Sequence, residues 1–115
     1  MFDFEKLTVY HKAKAFNKKV TEFLESKQLN RTTNDQLRRA AFSIMLNIAE
    51  GSGRYSKADK RNFYVIARGS SFECVAIFDF LQETKLINES QFKTFYNDLD
   101  ELSRMLFTMI RKLSL

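Results

Sequence analysis

The stretch NIAEGSGRYSKADKR, residues 47–61, ends one predicted helix and begins the next. Gly51 follows the last apolar position of the earlier helix, which is the second of the chain, and a glycine can adopt the left-handed conformation that closes a helix. Ser56 and Asp59 suit the start of the third helix, because both side chains favour the exposed N–H groups at its positive end. The stretch lacks the spacing G-x-x-x-x-G-K-[ST] and follows a helix rather than a strand, so it is not a phosphate-binding P-loop.

Apolar spacing and capping residues predict four helices and no strand. Thr33 with Gln36 has the form of a capping box at the start of the second helix, and Asn88 with Gln91 repeats it at the start of the fourth. We expect the helices to cover residues 4 or 8 to 26, 33–51, 56–84, and 88 to nearly the C-terminus. Short connections make successive helices antiparallel, so the sequence predicts an all-α, up-down four-helix bundle in a single domain over residues 1–115.

Two of these helices carry more apolar surface than one bundle core needs. On the third helix, Val65, Phe72 and Ala76 lie roughly opposite the predicted core positions, which are Phe63, Ile66, Cys74, Ile77 and Leu81. On the second, Phe42 and Leu46 lie away from the apolar face. Exposed apolar stripes usually mark a protein interface, so these five outer residues predict a homo-oligomer. The alternative is that long neighbouring side chains cover them within one subunit.

Charge is segregated along the chain, whose net charge is +5. Residues 38–68 hold seven basic residues against two acids, whereas residues 79–101 hold six acids against two bases. A basic cluster at a helix N-terminus can contact phosphates without identifying bases, and nearby tyrosines can stack on unpaired bases. The predicted phosphate contacts are Arg38, Arg54, Lys57, Lys60, Arg61 and Arg68, and the predicted stacking residues are Tyr55 and Tyr64. The alternative is a solvated basic face.

A narrow polar line runs along the second helix between its apolar stripes and comprises Arg39, Ser43, Asn47 and Glu50. Glu73 occupies a similar position on the third helix. Charges among apolar neighbours usually have partners, so these residues predict a structural polar seam in which Arg39 or Arg54 pairs with a glutamate. A catalytic acid is the alternative interpretation. Gly69 interrupts the third helix, which suggests that another backbone approaches closely there.

Several classes of function find no support in the sequence. A single cysteine, Cys74, excludes an intrachain disulfide and fits a reducing compartment. His11 and Cys74 are the only candidates for a histidine–cysteine pair, and a surface histidine with a buried thiol is the simpler interpretation. There is no metal-ligand spacing, signal peptide or apolar span for a membrane. We therefore expect a cytoplasmic protein that is not an enzyme and takes no cofactor, metal or small-molecule substrate.

The chain resembles the four-helix-bundle proteins encoded in 23S rRNA intervening sequences. The similarity covers LTVYHKAKAF, then QLRRAAFSIMLNIAEGSGRYSKADKRNFYVIARGSSFE, and the helical tail. Its most specific part is R-R-A-x-x-S-I-x-x-N-I-A-E-G followed by G-R, F and I-A-x-G-S-x-x-E. These elements are matched by residues 38–51, Gly53 with Arg54, Phe63, and residues 66–73. Tyr10 departs from the family, which usually has a tryptophan there.

Relatives of that family include accessory proteins of diversity-generating retroelements, which form pentameric barrels and bind nucleic acid and a reverse transcriptase. The resemblance therefore implies an all-α homo-oligomer, a pentamer, and nucleic-acid binding. Lys57, Lys60 and Arg61 lie outside the shared pattern, whose glycines are mainly architectural. Together the residues and the resemblance favour a non-enzymatic, homo-oligomeric module that binds RNA or DNA phosphates. The alternative is a scaffold that binds an acidic partner protein, such as a reverse transcriptase, without binding nucleic acid itself.

Overall fold

The computed structural model describes residues 1–115 and contains four α-helices and no strand. A short 3-10 turn, Asp3–Lys6, precedes the helices, which are α1 Thr8–Ser26, α2 Arg31–Ser52, α3 Lys57–Glu83 and α4 Glu89–Leu113. The predicted all-α class and the number of helices are confirmed.

Each helix packs against its sequence neighbours, and α1 closes the bundle against α4. Contacts between α2 and α3 run in opposite directions along the two helices, because Ser43 meets Ser70 whereas Gly51 meets Phe63. The α3–α4 and α1–α4 contacts reverse in the same way. The arrangement is therefore antiparallel. One core of 21 buried apolar residues joins all four helices. Within it, the rings of Phe16, Phe23, Phe78 and Phe95 contact one another.

Two of the predicted helix starts are confirmed and one is wrong. Ser56 Oγ accepts the backbone N–H of Asp59 at 3.0 Å, and Asn88 forms the complete capping box with Gln91. The start of α2 lies at Arg31 rather than Thr33, since Asn30 Oδ1 accepts the backbone N–H of Thr33 at 2.8 Å. Asparagine is preferred to threonine at the N-cap position, and this preference favours the cap at Asn30 over a cap at Thr33.

The roles predicted for two glycines are wrong. Gly51 lies inside α2 rather than closing it, and the C-cap Gly53 has φ −90°, outside the left-handed region. At Gly51, a Cβ atom would lie 2.9 Å from Phe63 Cβ, so this glycine permits the close approach of α3. At Gly69, by contrast, a Cβ atom would meet nothing within 4 Å. The close approach expected at Gly69 is found at Gly51 instead, where the neighbouring atoms belong to the side chains of Phe63 and Tyr64.

The buried face of α3 is rotated relative to the predicted one. Its buried residues are Tyr64, Ala67, Ser70, Ser71, Cys74, Phe78 and Leu81. The expected core residue Ile66 is 51% exposed. Small side chains at 67, 70 and 71 allow α3 to pack closely on its neighbours, and this closeness decides which side of the helix faces inward.

Candidate nucleic-acid interface and the exposed apolar face

Three chain segments bring cationic side chains to one end of the bundle. The α2–α3 connection and the first turn of α3 supply Arg54, Lys57, Lys60 and Arg61. Arg61 Nη1 lies 3.4 Å from the carbonyl oxygen of Leu113, which places the last turn of α4, with Arg111 and Lys112, beside this cluster. We call these six residues the basic end. The two α4 residues were missed in the sequence because they are some fifty positions away, and only the antiparallel pairing of α3 with α4 brings them close.

Lys60 and Arg61 each bind the C-terminus of a neighbouring helix. Lys60 Nζ donates a hydrogen bond to the carbonyl oxygen of Ser52, the last residue of α2, at 2.8 Å. Arg61 donates to Leu113, the last residue of α4. Helix C-termini carry unsatisfied carbonyls and partial negative charge, so both cations stabilise the helices that they contact. These two residues therefore have structural roles in addition to any role in binding.

Arg54 is also engaged within the chain. Its Nη2 lies 2.7 Å from Glu50 Oε1, and its guanidinium stacks over the ring of Phe63 at 4.6 Å from the ring centroid. The predicted pairing of Arg54 with a glutamate is thus confirmed, although both side chains are about half exposed. Lys57 is exposed and has no ion-pair partner in the chain. Among the four cations of the α2–α3 connection and the start of α3, Lys57 is therefore the one whose side chain is not held by another group of the chain.

The two tyrosines near the basic end have opposite environments. Tyr55 is fully exposed on the α2–α3 connection, where its ring is open to solvent. Tyr64 is only 4% exposed and packs beneath Gly51, so its predicted role in stacking on a nucleobase is wrong. Burial, and then the charge of Asp3, raises the pKa of the Tyr64 hydroxyl above its usual value. Tyr64 is a core residue.

Arg38 and Arg68 do not belong to the basic end. Arg68 donates from Nε to the carbonyl oxygen of Ser103 at 3.2 Å, and its guanidinium lies between the rings of Phe72 and Phe107. Arg38 is five residues before Ser43, whose partner is Ser70, and this register puts it about 27 Å along the bundle from Lys57 at 1.5 Å per residue. The sequence grouped these residues by position in the chain, but the fold separates them.

The central part of the predicted polar seam forms between α2 and α3. Ser70 Oγ lies 2.7 Å from Ser43 Oγ, and Asn47 Nδ2 donates to the carbonyl and hydroxyl oxygens of Ser43 at 2.8 and 3.0 Å. These bonds satisfy polar groups at the helix contact. The ends of the seam differ from the prediction, because Arg39 and Glu73 are exposed and neither forms an ion pair in the chain. The place predicted for Glu73 in this seam is wrong, because the apolar residues beside it, Ile66 and Phe80, are themselves exposed and leave its carboxylate in water.

All five residues of the predicted oligomer interface are exposed. They belong to a larger surface that follows the outer side of α3 and extends onto α2 and α4, which we call the α3 face. Its large exposed side chains are Phe42, Leu46, Val65, Ile66, Phe72, Phe80 and Phe107. The sequence missed Phe80 and Phe107, and it assigned Ile66 to the core. No helix of the chain covers this face, since α1 meets α3 only on its buried side, where the ring of Phe23 packs against that of Phe78.

Cys74 is buried and His11 lies on the surface, as the simpler interpretation of these two residues predicted. Burial, followed by the charge of Glu73, raises the pKa of the Cys74 thiol to about 12, so this thiol is protonated at neutral pH. His11 lies on the surface, where its Nε2 is 2.7 Å from the carbonyl oxygen of Glu5. His, Cys, Asp and Glu side chains form no group of three or more that could hold a metal ion. Each of the helices is too short or too polar to cross a membrane.

Comparison with known proteins agrees with this architecture. A crystal structure of a protein of unknown function from the S23 ribosomal protein family of Bacteroides thetaiotaomicron has a similar fold, with a TM-score of 0.84 and 27% sequence identity. The similarity covers 90% of this chain and 98% of that chain. No curated protein matches the sequence. Residues 5–108 match the sequence model of the 23S rRNA-intervening sequence protein family, and the chain therefore belongs to that family.

Proposed function

We propose that this chain is a non-enzymatic, homo-oligomeric module that binds RNA or DNA through phosphate contacts at its basic end. The observation that carries the proposal is the convergence of six cations from three segments on one end of the bundle. Phosphate contacts supply most of the sequence-independent affinity of nucleic-acid-binding proteins. The expected ligand is therefore a polyanion bound with little base selectivity.

The intrachain bonds of Lys60 and Arg61 are compatible with phosphate binding. A lysine ammonium has three donors and a guanidinium has five, and each of these side chains uses one on a helix terminus. The remaining donors and the full positive charge stay available at the surface. Holding each cation against a helix terminus also reduces the rotamer entropy that a phosphate contact must offset.

Self-association strengthens such binding. An oligomer repeats the basic end on every subunit, so several weak contacts act on one nucleic acid at a high effective concentration. The α3 face supports the assembly, because apolar surface of this extent is usually covered by another protein. By resemblance to the retroelement accessory proteins, we expect a pentamer.

Filter-binding titrations at several salt concentrations test the phosphate contacts. A Lys57→Ala, Lys112→Ala double variant removes two cations of the basic end and leaves the helix-capping contacts of Lys60 and Arg61 intact. On duplex DNA, we expect binding to weaken similarly across sequences, and the slope of log K against log salt to flatten by about two. Lys93→Ala, at the opposite end of the bundle, is the matched control and should keep the wild-type slope. Tyr55→Ala should weaken single-stranded binding more than duplex binding.

The scaffold function is the second candidate, in which the cations of the basic end meet an acidic partner protein instead of a nucleic acid. The same titrations separate the two. Absence of wild-type binding at low salt, or an unchanged slope in the double variant, rejects the phosphate site and leaves the scaffold.

A further inference from the structure

A cleft opens beside the basic end, between the N-terminal segment and the end of α2. It has a volume of about 540 Å³ and is lined on one side by residues 1–4 and on the other by a group that includes Glu50, Ser52 and Arg54. Arg54 belongs to the basic end, and the carbonyl oxygen of Ser52 is the acceptor for Lys60 Nζ. A nucleic acid whose phosphates lie on the basic end therefore passes the mouth of this cleft.

Two phenylalanines supply the aromatic wall of the cleft. Phe2 is 71% exposed, although its ring is stacked with the ring of Phe4, with centroids 5.9 Å apart and an angle of 24° between the planes. Phe4 in turn packs against Tyr10, with ring centroids 4.6 Å apart. A phenylalanine that is braced by a second ring and open to water offers a flat surface on which a base can stack.

The polar groups of the cleft suit a base better than a phosphate. Its charged side chains are two carboxylates, Asp3 and Glu50, and the guanidinium of Arg54. Glu50 pairs with Arg54 at 2.7 Å, whereas Asp3 makes no ion pair in the chain. The unpaired carboxylate repels a phosphate from the cleft, and its oxygens can accept the N–H groups that the edges of bases present.

We propose that the cleft takes an unpaired base of a single-stranded RNA or DNA, which stacks on Phe2 while the adjoining phosphates contact the basic end. This inference rests on the proposed function and names the class of nucleic acid that the basic end binds. A base in a duplex must be extruded from its stack before it can enter a pocket, whereas a base of a single strand is free to do so. Stacking selects single strands without selecting a sequence, because every base has a π-face.

Binding titrations with Phe2 variants test the cleft. Phe2→Ala should weaken the binding of a short oligothymidylate by about 5-fold or more and leave the binding of a blunt duplex unchanged. Phe2→Trp keeps an aromatic surface and should bind like wild type. The chain has no tryptophan of its own, so the introduced one is a unique fluorophore, and its emission should be quenched far more by the oligothymidylate than by the duplex. Tyr96→Trp is the control, because this exposed position lies about 24 Å along α4 from Lys112, and its emission should not change.

The outcomes separate the cleft from the basic end. A selective loss of single-stranded binding in Phe2→Ala, together with quenching in Phe2→Trp, supports the proposal. Unchanged single-stranded binding in Phe2→Ala overturns it, as does an equal loss for both probes or binding to Phe2→Trp without quenching. In each of these cases the salt dependence of wild-type binding still tests the phosphate contacts independently. A wild type that binds neither probe would instead overturn the proposed function, and the cleft with it.

Discussion

Gly51 and Gly69 are both helical glycines, but their surroundings give them opposite energetic roles. The Cβ of Phe63 is fixed to the backbone of α3 and cannot move aside for a new side chain at Gly51, whereas Gly69 faces open space. An inserted methyl group in a packed contact costs about 1–3 kcal/mol, and replacing glycine by alanine inside a helix returns up to about 1 kcal/mol. The sign of each substitution is therefore set by the neighbouring helix.

We expect Gly51→Ala to lower the free energy of unfolding by about 1–2 kcal/mol, because the clash outweighs the gain in helix propensity. Gly69→Ala should raise it by up to about 1 kcal/mol. Urea unfolding of both variants measures the two values, and the second variant is the matched control for the first. Stabilisation by Gly51→Ala would show that the contact between α2 and α3 is looser than described.

At the scale of the helices, the start of α2 shows how two local signals compete. Thr33 with Gln36 has the composition of a capping box, but Asn30 lies three residues earlier and accepts the N–H of Thr33. Both arrangements are locally plausible in the sequence. With its N-cap at Asn30, α2 is three residues longer than it would be with an N-cap at Thr33.

We expect Asn30→Ala to destabilise the protein by about 1 kcal/mol, since it removes the N-cap acceptor. Thr33→Ala should change the free energy of unfolding by less than about 0.5 kcal/mol, because the Thr33 hydroxyl makes no cap. Thermal melts of the two variants provide the comparison. A larger loss for Thr33→Ala than for Asn30→Ala would place the helix start where the capping-box pattern put it.

At the scale of the whole molecule, two phenylalanines on α3 distinguish the core from the α3 face. Phe72 is 57% exposed, and Phe78, less than two turns further along, is fully buried against Phe95. We expect Phe72→Glu to abolish the proposed self-association and to leave the helicity of the subunit unchanged, because it places a charge on the apolar surface that would be covered. Phe78→Glu should unfold the subunit. Light scattering and circular dichroism on both variants give the two readouts, and loss of helicity in Phe72→Glu would assign that residue to the core.

The sequence is informative about features that depend on one helix and less so about features that depend on two. Ser56 and Asn88 cap their own helices, and both were predicted correctly. The roles of Gly51 and Gly69 depend on where α3 meets α2, and Tyr64 is buried by that same contact. None of these can be deduced from the periodicity of a single helix. The predicted set of cations at the basic end was incomplete for the same reason, since Arg111 and Lys112 are brought there by tertiary packing.

The contacts of Lys60 and Arg61 also have a dynamic consequence. Two successive residues of α3 hold the final turns of α2 and α4, so fraying at either helix end is coupled to the position of one short segment. A polyanion that contacts the remaining donors of these two side chains also restrains the two helix ends that they hold. Occupancy of the basic end is then linked to local opening of two helices that are distant in sequence. The two hydrogen bonds of Lys60 and Arg61 would then affect both the binding of a polyanion at the basic end and the order of the last turns of α2 and α4.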